Sequence, residues 1–154
     1  MTYGNLDTVD GKSVISFERR YEHSVERVWK AISEPDERLH WFPPGGDLAV
    51  TDSEPPRLLA LSWFGDELRF ELRPDGEGCV LLFSHAFADH EKAARDAAGW
   101  DRCFVRFDAL LAGEPIGEAD SLKAWPETHE RYAERFGIDP QLGRKTFAEY
   151  QAQQ

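Results

Sequence analysis

Between Asp89 and Gly113, the apolar residues Ala93, Ala97, Trp100, Phe104, Phe107 and Leu111 recur every three or four positions. That spacing predicts one long helix with a continuous apolar stripe. Asp89 can cap its start, and Gly113 stops it. About 24 residues at 1.5 Å each make a rod of roughly 36 Å, enough to cross a small sheet. Large rings along such a rod cannot be left in water, so the rest of the chain must supply a surface that covers them.

The preceding residues supply strands. From Lys12 to Tyr21, Ile15, Phe17 and Tyr21 alternate with Ser16, Glu18 and Arg20. Ser24 can cap a helix carrying Val25, Val28, Trp29 and Ile32, which Pro35 ends. Asp36 is expected to cap a second, very short helix that carries Leu39, Trp41 and Phe42. Pro43 to Gly46 reads as a turn. Leu48 to Ser53 is a weak strand pattern, and Arg57 to Phe64 places Leu59, Leu61 and Trp63 together. Glu67 to Arg73 gives the cleanest alternation, with Leu68, Phe70 and Leu72 facing inward. Cys79 to Phe87 sends Leu81, Phe83, His85 and Phe87 to one side, and leaves Val80 and Leu82 oddly outward. The tail or a second subunit is expected to cover that pair. Beyond Gly113, Pro126 opens a helix closed by Gly137, and Asp139-Pro140 starts another. These carry too few apolar residues to fold alone.

The order of elements predicts an α+β fold in which one antiparallel sheet grips one helix. Its 154 residues suit one domain, with a core at about 12–113 and a helical C-terminal extension at 114–154. Net charge is -11, so the chain repels phosphate backbones and anionic lipid, and neither nucleic acid nor membrane is an expected partner. The first residues, Met1 to Asp7, have no cationic start and no apolar run, and nothing reads as a span. Cys79 and Cys103 show no framework spacing, which reads as reduced thiols in the cytoplasm.

Ordered motifs add a resemblance. Phe17-Glu18-Arg19-Arg20, Val25 to Ile32 and Trp41-Phe42-Pro43 resemble the opening of a known family. Pro55 to Leu59 with Trp63, Leu81 to His85, and Ala98-Gly99-Trp100-Asp101 continue the series. The family is the bacterial proteins similar to the activator of heat-shock protein 90 ATPase, in the lipid-transfer and birch-pollen-allergen (SRPBCC, polyketide cyclase-like) superfamily. The match spans about residues 12–113. It implies the helix-grip fold: a curved antiparallel sheet around the long helix, two short helices near the N-terminus, and a hydrophobic pocket between sheet and helix. One departure stands out. Members usually carry two longer strands where this chain has only Pro44 to Glu54. A shortened sheet of about five strands is therefore expected, with a more open groove unless the tail closes it.

Candidate binding residues follow from the inward faces. His85 shares its face with Leu81, Phe83 and Phe87. It either orients a ligand or acts as a base, or is a core histidine bonded to Arg19, Tyr21 or backbone. Arg19 either binds a ligand carboxylate or pairs with an acidic residue near the first helix. His40 and Trp41 are expected at a pocket mouth, with Trp63, Phe70, Phe83, Trp100, Phe104 and Phe107 as walls, or else as ordinary core. No catalytic triad, phosphate loop, metal-ligand spacing or cofactor motif is present. The leading expectation is a carrier or sensor for a small hydrophobic or aromatic molecule. A chaperone-accessory or other protein-interaction role and a polyketide cyclase or dehydratase-like enzyme are the alternatives. The outward Val80 and Leu82 also leave a homodimer open.

Overall fold

The computed structural model describes residues 3–153. Six antiparallel strands form one sheet in the order β1-β2-β6-β5-β4-β3. They are β1 (Asn5–Val9), β2 (Lys12–Tyr21), β3 (Leu48–Glu54), β4 (Leu58–Trp63), β5 (Asp66–Asp75) and β6 (Gly78–Phe87). Between β2 and β3 come α1 (Val25–Ser33) and α2 (Pro35–Arg38), and α3 (Ala93–Leu111) follows β6. The strand alternations expected from sequence are realised: Ile15, Phe17, Leu68, Phe70, Leu72, Leu81 and Phe83 are all buried. They meet Trp100, Phe104 and Phe107 of α3.

The sheet has six strands, not about five. The region between the Trp41-Phe42-Pro43 turn and Pro55 does hold a single strand, β3, whose residues are exposed except for half-buried Leu48. The unexpected strand is β1, which is almost entirely exposed and so carries no burial pattern. Its signal lies in the turn instead. Asp10 and Gly11 have φ of 50° and 78°, the pair of positive angles that matches the twist of a two-residue hairpin.

Local chemistry sets the helix ends. The Ser24 side chain accepts from the Arg27 N–H and caps α1. Pro35 opens α2 after Glu34, so Asp36 lies inside that helix and does not cap it, and Trp41 and Phe42 lie beyond its end. The Trp41 indole donates to the Ala31 carbonyl at 2.9 Å, which fixes the loop against α1. Asp89 caps a single 3-10 turn, His90–Lys92, ahead of α3. The α-helix itself is 19 residues, about 28 Å, shorter than expected but still as long as the sheet is wide.

Val80 and Leu82 are only half exposed, and the tail is not what covers them. Register places Arg20 and Arg73 beside Val80, and Glu18 and Glu71 beside Leu82. The Arg73–Glu18 pair, at 4.0 Å, reaches across β6 beside the two apolar residues.

The tail docks on α3 through α4 (Glu118–Leu122), α5 (Trp125–Phe136) and α6 (Gln141–Ala152). Its anchor is Tyr132, fully buried. The Tyr132 hydroxyl accepts from the Gly4 N–H at 2.8 Å, and its ring meets Tyr3 edge-on at 5.6 Å. Arg135 adds bonds to the Gly4 carbonyl and to Asn5 Oδ1. Helix α5 is thus tied to the segment that leads into β1.

Helix α6 approaches α5 closely enough to require glycine. A Cβ on Gly143 would sit 2.0 Å from Nε2 of His129, a buried ring stacked on Trp125 at 4.8 Å. That ring cannot swing aside. Gly143→Ala is expected to destabilise the chain by about 1–3 kcal/mol, although Gly→Ala inside a helix is ordinarily favourable. Urea unfolding monitored by tryptophan fluorescence checks the sign.

Candidate functional site

Where the sheet ends and the tail begins, the packing leaves a cavity of about 270 Å³. Trp63 at the end of β4 and His85 on β6 form one side, and Gly99, Trp100 and Cys103 of α3 form the floor. Leu122 of α4, Trp125 of α5 and Phe147 of α6 close it from the tail, and Pro43-Pro44 borders the opening. The tail therefore supplies one wall of the cavity. Trp125 is stacked between Phe147 at 5.0 Å and His129 at 4.8 Å, which fixes this part of the wall.

His85 is 1% exposed, and both its ring nitrogens are bonded. The Trp100 indole Nε1–H donates to Nδ1 at 2.9 Å, and Nε2 lies 2.9 Å from Asp66 Oδ2. An indole N–H only donates, so Nδ1 accepts and the ring proton sits on Nε2, directed at Asp66. The partners are thus Trp100 and Asp66, not Arg19, Tyr21 or backbone. A base needs a free lone pair, and here it is occupied by Trp100. This network orients Trp100 in the cavity wall.

Asp96 also borders the cavity. Burial raises its carboxyl above the usual range, opposed by Arg95, which bonds it at 3.0 Å, and by His85.

The expected site residues divide into two groups. Trp63, His85 and Trp100 line the cavity. Trp41, Phe70, Phe83, Phe104 and Phe107 do not: each is at most 1% exposed. They interlock, with Trp41–Phe107 at 4.9 Å, Phe70–Phe83 at 4.8 Å and Phe83–Phe104 at 5.5 Å. Rings meeting at such distances fill the space directly beneath α3, so the cavity is displaced to the end of the groove. His40 is exposed beside Lys30, Glu34 and Glu37, away from the cavity.

Arg19 pairs with Asp108 at 2.5 Å and donates to the Tyr21 hydroxyl at 2.9 Å. It forms the expected ion pair, but with the long helix and not the first. Its guanidinium stands 5.0 Å over the Phe104 ring. Burial works against its charge, yet Tyr21 and Asp108 outweigh this and raise its pKa.

Sequence reasoning missed Arg95, Gly99, Arg102 and Arg106, which share one side of α3 by helical spacing. It also missed the walls contributed by the tail, whose docking has no local signal. Among the described residues, no group of three His, Cys, Asp or Glu could hold a metal ion, and no helix is long and apolar enough to cross a membrane.

A sheet clasping one long helix, with short helices between the second and third strands, defines the helix-grip class. No family model and no curated protein matches the chain. Solved structures do. The crystal structure of CalU16 from Micromonospora echinospora superposes with a TM-score of 0.70 at 21% identity, over 89% of this chain and 98% of CalU16. The Aha1 dimer from Colwellia psychrerythraea gives 0.54 at 19% identity, over 68% of this chain and 98% of that one. An AHSA1-like protein from Rhizobium etli gives 0.59 at 17% identity, over 73% and 90%. These likenesses establish the fold. Coverage of 89% must extend past α3 into the C-terminal helices, so the CalU16 likeness includes part of the tail.

The His85 network makes one expectation specific. His85→Phe keeps a ring but strands the buried Trp100 N–H, and should cost about 1–3 kcal/mol. Adding Trp100→Phe should cost less than the two single changes together, because the unpaired donor is then gone. Chemical denaturation of the single and double variants measures the coupling.

Proposed function

We propose that this chain binds one small, flat, mostly apolar molecule in the cavity between α3, the sheet end and the C-terminal helices, as a carrier or sensor. The observation that carries this reading is Gly99. Glycine inside a helix costs about 0.5–1 kcal/mol relative to alanine. A Cβ at this position would meet nothing within 4 Å, so no close packing demands the glycine. Its missing side chain enlarges a space walled by Trp63, Trp100 and Trp125.

Volume limits the guest. Roughly 150 Å³ suffices for benzene, and drug-sized ligands need about 300 Å³ or more. A cavity of about 270 Å³ suits a two-ring molecule better than a lipid chain. Binding is favoured over turnover because His85, the best-placed acid-base group, has both nitrogens engaged. Cys79 and Cys103 are buried and in no disulfide among the described residues, which fits a reducing cytoplasm.

A neutral two-ring aromatic such as 2-naphthamide, at about 100 times its Kd, should add ~2.7 kcal/mol to stability. For a chain of this size that is a rise in Tm of roughly 5–10 °C. Gly99→Leu should fill the space and abolish the rise while unfolding no earlier than the parent. Retention of the full shift in Gly99→Leu would place the guest elsewhere.

A further inference from the structure

The cavity wall is largely apolar but not electrically neutral. Arg95, Arg102 and Arg106 line it from α3, against one carboxylate, Asp96, among the described lining residues. In a chain of net charge -11, three cations converging on one cavity run against the composition.

These arginines are not equivalent. Arg95 bonds Asp96 Oδ1 at 3.0 Å, and Arg102 Nε donates to Ser121 Oγ at 3.0 Å. For Arg106, Nε is buried without a hydrogen-bond partner, and no ion pair engages its guanidinium among the described residues. Nε is covered by protein, so the terminal nitrogens are the ones left to meet an acceptor in the cavity. A guanidinium presents parallel N–H groups that match the two oxygens of a carboxylate.

Geometry gives the guest a direction. At the β-sheet end lie the rings of Trp63 and Trp100, whose centroids are 5.6 Å apart. Arg106 follows Trp100 by six residues, roughly 9 Å along the helix. The Asp96 carboxylate lies ten residues from Arg106, roughly 15 Å, and is already paired with Arg95.

We propose, resting on the binding role inferred above, that the guest is an aromatic carboxylate, its ring against Trp63 and Trp100 and its carboxylate on Arg106. The apolar surround strengthens that contact, because water competes weakly there. An isosteric amide offers the same rings without the charge.

The test is isothermal titration calorimetry of the full chain with 2-naphthoate and 2-naphthamide at pH 7.5. The carboxylate should bind at least about tenfold more tightly. Arg106→Gln should bring the two affinities within about threefold of each other. Equal affinities in the parent chain would overturn the carboxylate inference while leaving the cavity reading intact. Binding of neither probe would overturn both. A preference that survives Arg106→Gln would overturn the role of Arg106. Should that variant fail to fold, Arg106→Lys should narrow the preference, and an undiminished preference there would count against the bidentate contact.

Discussion

The structure depends on the burial of α3's rings in the concave face of the sheet. Phe104 and Phe107 are shielded from water by Phe17, Phe83, Trp41 and Tyr21, with centroid separations from 4.9 to 5.5 Å. Each buried ring contributes about 1.5–3 kcal/mol relative to exposure, so this cluster fixes the helix to the sheet more firmly than any polar contact here. The same packing leaves the guest no room beneath the middle of the helix. Space survives instead where the rings give way to Gly99 and the sheet runs out.

Two polar networks then stabilise the ends. At one end, Trp100 donates to His85 and His85 faces Asp66, so a single tautomer holds three elements in register. On the other flank, Arg19, Tyr21 and Asp108 join β2 to α3. The tail adds a third tie through Tyr132 to Gly4, which links α5 to the segment before β1. The helix-grip core thereby gains a wall, and α4 to α6 become part of the candidate site.

Much of the fold was legible because burial leaves a periodic trace. Strands β2, β5 and β6 and helix α1 fell close to their expected spans, since each has one apolar and one polar face. β1 left no such trace because its residues are exposed; only Asp10-Gly11 betrays it. The site was harder. Sequence marks inward residues but not whether facing rings leave space between them, so Phe70, Phe83 and Trp63 looked alike as candidates. Packing alone separates them. The contributions of Trp125 and Phe147 depend on tail docking, which rests on contacts such as Gly143 against His129 that lie far from any motif.

Indole N–H resonances offer the most direct test of where a guest sits. The chain has five tryptophans, of which Trp63, Trp100 and Trp125 line the cavity, while Trp41 is locked in the core and Trp29 lies on α1. In a two-dimensional NMR titration with 2-naphthamide, the signals of those three should move together, with Trp29 and Trp41 unchanged. Movement of Trp41, with Trp125 still, would place the guest under the middle of α3 and contradict the account.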